Sequence, residues 1–352
     1  MTTSDFDDKH MMRLAFRQAL RGWGRCSPNP LVGAIVTDRS GRIVGRGYHR
    51  QAGCPHAEPI ALDDAGDAAR GGVLYVTLEP CSTWGRTPPC TERVLASGVR
   101  RVVIGCLDAN PAHRGAGVAI LSDAGIEVTS GVLETECTRL NEAFFWWIKH
   151  RRPFVLLKMA MTLDGRIATA GGQSQWISGP PARRVVQRLR RWADAVMAGG
   201  DTVRLDNAAL TVRSPANWPR QPLRIVWTSR PDFPAEARIR SADPDQPPMF
   251  TKPETTTQWL EFLRDIGERE VTALLLEGGG ELAAAALQAG VVNKIAFFVA
   301  PKILGGRDSR PVVGGVSPSA LSEAIELTDQ QVHRIGQDLL ITGYCSNVYG
   351  ID

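Results

Sequence analysis

Residues 54–58 read Cys-Pro-His-Ala-Glu, and residues 79–90 read Glu-Pro-Cys-Ser-Thr-Trp-Gly-Arg-Thr-Pro-Pro-Cys. Zinc favours imidazole and thiolate ligands, and a catalytic zinc takes three of them while leaving a fourth position open to water. His56, Cys81 and Cys90 supply that set. A metal held this way lowers the pKa of its water, so a nucleophile is available near neutral pH. Glu58, two residues beyond the histidine, can shuttle the proton without being a ligand. Cys54 is a further thiol two residues before His56. A fourth protein ligand would close the site to water, so Cys54 is left out of the set.

The order His-x-Glu followed by Pro-Cys is that of the zinc nucleobase deaminases, whose signature ends in Pro-Cys-x-x-Cys. Here eight residues, not two, separate Cys81 from Cys90. That gap needs a loop, and Gly85, Pro88 and Pro89 are loop residues. The loop can hang over a pocket and touch substrate, with Arg86 as its charged candidate. HAE followed by EPCS-x-x-GRTPPC resembles the deaminase half of the bifunctional riboflavin-biosynthesis RibD family, and Pro28-Asn29-Pro30-Leu31-Val32-Gly33 belongs to the same pattern. The resemblance implies that Asn29 and Arg86 meet substrate. The family commonly has His after Cys-Ser, where this chain has Thr83, a departure that bears on one substrate contact of the deaminase and not on the metal.

The 352 residues suit two domains of ordinary size. With 43% apolar and 22% charged residues, the composition is that of a globular protein outside the membrane. The net charge of +4 is small for the length, and no basic run or tail is present, which argues against a nucleic-acid binder. No apolar stretch approaches a membrane span. The start, Met-Thr-Thr-Ser-Asp-Phe-Asp-Asp, is polar and acidic and reads as no secretory signal. Beyond the two thiols given to metal, Cys26, Cys54, Cys106, Cys137 and Cys345 read as scattered reduced thiols of a cytoplasmic protein. A homo-oligomer is expected.

Apolar positions in residues 7–22 suit an amphipathic helix. Residues 31–37 and 42–48 read as two strands around a hairpin turn at 38–41. His56 opens a helix running to about Ala69, which puts His56 and Glu58 in its first turn, where the helix dipole favours a carboxylate. Residues 72–78 form a buried strand that delivers Glu79-Pro80-Cys81 at its carboxyl end. Helices at 91–97 and 115–125 alternate with strands at 99–105 and 126–132, which indicates a three-layer α/β domain. The aromatic-rich helix 140–150 is broken by Arg151-Arg152-Pro153, so the domain boundary is set there, giving domains 1–150 and 151–352. Its four consecutive aromatics, residues 144–147, read as packing. The second half opens with a strand at 154–161. Then come a basic helix at 180–192, strands at 193–199, 223–229, 272–276 and 294–300, and a helix at 281–288. Residues 231–257, rich in Pro, Asp and Thr, read as a long surface connection.

Gly278-Gly279-Gly280, between a buried strand and a helix, exposes backbone N–H groups where phosphate binds readily. The spacing is not that of a Rossmann unit. Residues 158–166 (Lys-Met-Ala-Met-Thr-Leu-Asp-Gly-Arg), 174–177 (Ser-Gln-Trp-Ile), 210–213 (Leu-Thr-Val-Arg) and 277–279 (Glu-Gly-Gly) resemble the reductase half of the same family. That resemblance implies a dihydrofolate-reductase-like α/β domain using NADPH, beside a cytidine-deaminase-like domain holding one zinc per chain. It implies cofactor contacts at Ala160, Trp176, Thr202, Asp206, Ser229, Gly279 and Gly280. It implies substrate contacts at Ser174, Arg190, Leu210, Arg213 and Glu277. Arg190 and Arg213 could clamp a sugar phosphate with forked hydrogen bonds. Glu277 could accept from ribose hydroxyls or the uracil edge, and Lys158 could polarise the C1′ imine or aldehyde. Asn207-Ala208 stands where the family commonly has Asp-Pro, which predicts a less rigid loop.

The implied function is hydrolytic deamination of 2,5-diamino-6-(5-phosphoribosylamino)pyrimidin-4(3H)-one, then NADPH-dependent reduction of its ribosyl group to give 5-amino-6-(5-phosphoribitylamino)uracil. The competing readings are a zinc deaminase acting on nucleic acid, and a second domain that is non-catalytic. The small net charge and the glycine-rich phosphate loop count against them.

Overall fold

The structure, a computed structural model, describes residues 3–84, 88–110, 113–243 and 245–345. Arg86 lies outside the described residues. The chain divides into two compact units, Met1–His150 and Arg151–Asp352. Among the described residues no helix is long and apolar enough to cross a membrane.

In the first unit the elements run α1 (Thr3–Ala19), β1 (Gly33–Thr37), β2 (Ile43–Tyr48), α2 (Ala57–Ala65), β3 (Val73–Leu78), α3 (Cys90–Ser97), β4 (Arg101–Cys106), α4 (Ala116–Asp123), β5 (Glu127–Thr129), α5 (Glu134–Leu140) and α6 (Glu142–His150). Five strands form one sheet in the order β2-β1-β3-β4-β5. β1 is antiparallel to both its neighbours, and β3, β4 and β5 run parallel. β3 is buried at all six positions, as a central strand covered on both faces must be.

Glycines set the helices against this sheet. A Cβ on Gly33 would lie 2.1 Å from the Ala15 carbonyl oxygen, so α1 rests directly on β1. On β2, a Cβ on Gly45 or Gly47 would lie 2.1 Å from the carbonyl oxygen of Ala61 or Ala57 respectively, so α2 rests directly on β2. Gly33 pairs with Tyr48 while Ala34 pairs with Gly47, so the two contacts use opposite faces of the sheet. The three-layer expectation is met. α2 stops at Ala65, and its last expected turn is a 3-10 turn, Gly66–Ala69.

In the second unit the elements are β6 (Phe154–Thr162), β7 (Arg166–Ala168), α7 (Pro180–Trp192), β8 (Ala195–Gly199), α8 (Gly200–Asp206), β9 (Leu223–Trp227), α9 (Arg238–Ser241), β10 (Met249–Thr251), α10 (Thr256–Glu268), β11 (Ala273–Glu277), α11 (Gly280–Gln288), β12 (Lys294–Ala300), β13 (Arg310–Pro311), β14 (Thr328–Ile335) and β15 (Asp338–Tyr344). The large sheet has the order β10-β9-β8-β11-β6-β12-β15-β14. It is parallel from β10 to β12, and the β14–β15 hairpin adds antiparallel to β12.

Three features differ from the sequence reading. Residues 231–257 are not a bare connection, because α9 and the edge strand β10 fall within them. The buried guanidinium of Arg224 on β9 holds this segment, donating to the carbonyls of Ile239 at 2.6 Å, Asp243 at 2.7 Å and Gln246. α10 opens with a capping box between Thr255 and Gln258 and buries Trp259, Leu263 and Ile266. The β14–β15 hairpin also goes beyond the sequence reading.

The Gly47 contact gives a test. Gly47→Ala should destabilise the first unit by about 1–3 kcal/mol through overpacking against α2. Thermal unfolding measures it, and an unchanged midpoint would show that α2 yields without cost.

Candidate active sites

α2 begins just after His56, its N-cap residue. β3 ends three residues before Cys81, and α3 begins at Cys90. The start of α3 meets the segment that follows β3. The Cys90 amide donates to Cys81 Sγ at 3.3 Å, and the Thr91 amide donates to the Cys81 carbonyl at 3.2 Å. His56 Nδ1 lies 3.2 Å from Cys90 Sγ and 3.6 Å from Cys81 Sγ. The three ligand atoms all fall within 4.8 Å of one another, and Cys54 is not drawn into the group. Zinc bonds of about 2.0–2.3 Å separate tetrahedral donors by roughly 3.3–3.8 Å, so the set fits zinc.

The two thiols also pull each other's protonation in opposite directions. The Cys81 thiol is lowered to about 4 by a hydrogen bond from the Cys90 thiol, against the cost of burial, with further help from His56. Cys90, tied by that bond and buried, is pushed well up. A divalent cation between them removes this conflict. Glu58, in the first turn of α2, is 3% exposed. Burial pushes its carboxyl up to about 7, opposed by nearby His56, and its Oε2 has no hydrogen-bond partner among the described residues.

Asn29 Nδ2 lies 3.1 Å from His49 Nε2, and His49 Nδ1 lies 3.1 Å from the Pro55 carbonyl. The His49 ring stands edge-on to His56 at 5.3 Å. His49 thus links Asn29 to the ligand histidine. Sequence reasoning missed it, since a single histidine after a strand carries no spacing signal. Glu79 was also missed. Its buried carboxylate accepts the amides of Asp108 at 3.1 Å, Gly115 and Gly117 at 3.0 Å, and Val118 at 3.3 Å. It therefore caps α4 and straps the loop before it to the strand end that carries Cys81. At the departure from the family pattern, the Thr83 hydroxyl meets His113 Nδ1 at 3.3 Å.

In the second unit Glu277 ends β11 beside Lys158 of β6. Arg190, on α7, grips Glu277 with two bonds of 2.7 Å and donates to the Thr211 carbonyl at 2.9 Å. Burial works against the Glu277 charge, but Arg190 and Lys158 hold the carboxyl below its ordinary value. Burial pushes the Lys158 amine down, partly opposed by Glu277. Arg190 thus spends three of its five N–H donors on Glu277 and Thr211.

Gly278 and Gly279 take φ of +74° and +89°, which only glycine adopts readily, and Gly279 caps α11. A Cβ on Gly279 would lie 3.2 Å from Thr202 Oγ1. Thr202 of α8 and the glycines at the start of α11 thus converge between adjacent strands. Asp206 accepts from Ser174 Oγ at 2.8 Å and Gln175 Nε2 at 3.2 Å, so Asp206, which the resemblance assigns to the cofactor, is bonded to Ser174, which it assigns to substrate. Trp176 is exposed and lines a cleft with Arg213. Leu210 is buried with φ of +56°, an unusual backbone for leucine. Ala160 lies on β6, and Ser229 is exposed just past β9. The loop after α8, which lacks that proline, is closed by a bond of its own. Asn207 adopts φ of +45°, which suits asparagine, and the Ala208 amide donates to the Val203 carbonyl at 3.2 Å, a bond proline could not make.

Residues 6–106 match the cytidine and deoxycytidylate deaminase zinc-binding region, and residues 153–341 match the RibD C-terminal domain. The chain is 43% identical to the riboflavin biosynthesis protein RibD of Synechocystis sp., with 97% of each chain covered. It is 37% identical to RibD of Escherichia coli, covering 95% of this chain and 98% of that one. Among solved structures, Acinetobacter baumannii RibD is similar with a TM-score of 0.87 at 33% identity, covering 97% of this chain and 100% of that chain. The Thermotoga maritima protein named as a diaminohydroxyphosphoribosylaminopyrimidine deaminase/5-amino-6-(5-phosphoribosylamino)uracil reductase is similar with a TM-score of 0.86 at 32% identity, covering 97% and 99%.

The metal set is open to test. Cys90→Ser should lose most of its zinc by metal analysis while the second unit stays folded. Full zinc content with normal activity would remove Cys90 from the ligand set.

Proposed function

The chain belongs to the RibD family of bifunctional riboflavin-biosynthesis enzymes, and on that premise we propose how its residues divide the two reactions. It is a deaminase and a reductase in one polypeptide. The deaminase half is residues 1–150 and the reductase half is residues 151–352.

The deaminase half hydrolyses the 2-amino group of 2,5-diamino-6-(5-phosphoribosylamino)pyrimidin-4(3H)-one and releases ammonia. One zinc per chain, held by His56, Cys81 and Cys90, supplies when bound a water activated near neutral pH. Glu58 moves the protons. The observation that carries this assignment is its buried Oε2, without a hydrogen-bond partner among the described residues, beside the three convergent ligand atoms. A carboxyl near 7 can take a proton from water and return it to the ring nitrogen and the leaving amine. Asn29 and its neighbour His49 line the same corner and would orient the ring.

The reductase half reduces the ribosyl group to ribityl, giving 5-amino-6-(5-phosphoribitylamino)uracil. NADPH, when bound, supplies the hydride. Thr202 and the glycines of α11 would receive its phosphates at a helix N-terminus. Lys158, whose ammonium form Glu277 favours against the cost of burial, has the role of polarising C1′ and giving up the proton that balances the hydride. Glu277 orients Lys158, and Arg213 binds the substrate phosphate.

Glu58→Gln should keep zinc and lower deamination by about 10² to 10⁴, while reduction of supplied deaminated substrate is unchanged. An unaffected deaminase rate would refute the proton role. Arg213→Ala should raise the reductase KM by about 30- to 5000-fold, the cost of leaving a charged partner unpaired. Deamination should stay near normal, so the deaminated intermediate accumulates. Ammonia release and NADPH absorbance, followed in one reaction, separate the two steps. If both fell together, the assignment of separate residue sets would be wrong.

A further inference from the structure

An open cleft of about 410 Å³ at the start of α7 is lined by Trp176, Pro180, Arg183, Arg184, Gln187 and Arg213. Three of these six are arginines and none is acidic. Among the described residues no carboxylate pairs with Arg183, Arg184 or Arg213. Such a cleft selects an anion.

Two of the arginines are held in place. Arg213 sits on a segment tied to α7 at both ends: Gln187 Oε1 accepts the Arg213 amide at 2.7 Å, and Arg190 donates to the Thr211 carbonyl at 2.9 Å. Arg183 stacks its guanidinium on the Trp176 ring at 4.4 Å and donates one N–H to the Ser178 carbonyl at 2.9 Å. The Trp176 backbone is held in turn, its carbonyl accepting from Lys302 Nζ at 2.7 Å. A guanidinium has five N–H donors in a fixed fork, so Arg183 keeps donors for a ligand while its plane is fixed by the ring. Arg183 also lies in the first turn of a 13-residue helix, where the dipole favours an anion. Arg190, by contrast, is occupied by Glu277.

We propose that Arg183, stacked on Trp176, is the second arm that reads the substrate phosphate, opposite Arg213, and so determines the preference of the reductase for a phosphorylated sugar. This rests on the reductase reading above. In steady-state assays the full-length protein would be given the phosphoribosylaminouracil and its dephosphorylated counterpart, with wild type, Arg183→Ala and Arg183→Lys compared. Wild type should prefer the phosphorylated form. Arg183→Ala should raise KM for that form about ten- to a hundredfold, the loss of one charge-assisted contact. Its kcat, its KM for NADPH and its KM for the dephosphorylated substrate should stay near wild type. Arg183→Lys, which keeps the charge but loses the fork, should recover only part of the preference.

An unchanged preference in Arg183→Ala would overturn the proposal. So would an equal loss on both substrates, or a raised KM for NADPH alone, since either would mean that Arg183 acts by holding Trp176. If Arg183→Ala fails to fold, a full phosphate preference in Arg183→Lys overturns it equally. Wild type that reduced neither substrate would overturn the reductase reading itself.

Discussion

In each half a carboxylate is buried at the carboxyl end of a parallel strand, and its charge has to be met there. Glu79 follows β3 and is 4% exposed, while Glu277 ends β11 and is 7% exposed. Stripping a buried charge of its partner costs about 3–5 kcal/mol, a large share of a domain's stability. The two halves solve the problem differently. Glu79 draws in four backbone amides from the start of α4 and the loop before it. Glu277 takes a forked pair from Arg190. In both cases the strand end becomes a fixed point, and the reactive residues hang from it. Cys81 is two residues past Glu79, and the glycine turn follows Glu277 directly.

Helix starts complete both sites. His56 caps α2, Cys90 opens α3, and Gly279 caps α11. Unpaired amides there offer partial positive charge to thiolates and phosphates. The starts must be placed closely to be useful. Gly45 and Gly47 allow α2 to lie against the β2 backbone, so the register of a strand sets the position of His56 and Glu58.

The arginines of α7 show the limit of reading charge from a helix. Arg183, Arg184, Arg188, Arg190 and Arg191 all lie on it, and the sequence marks none of them as buried. Packing buries Arg190 alone among them and leaves the first turn open to the cleft. Arg190 thus holds the strand end through Glu277, and Arg183, two turns earlier, lines the cleft. The strands missed by inspection have a similar cause. β14 reads Thr-Asp-Gln-Gln-Val-His-Arg-Ile and is exposed along nearly its whole length, so it has no buried face to imprint an alternating pattern. α10 was missed too, although the Thr255 capping box and the spacing of Trp259, Leu263 and Ile266 are helix signals.

The sequence by itself marked the three residues whose ligand atoms the fold brings together, the helix and strand that carry them, and the glycine turn of the second half. Zinc accepts few residue types, and a turn of positive φ accepts almost none but glycine, so such sites leave their mark locally. Only the tertiary structure decided which charge meets which. Arg190 and Glu277 are 87 residues apart in the chain, and Glu79 and Val118 are 39 apart. A buried charge binds whatever partner packing brings within about 3 Å, and no local pattern of residues records that choice.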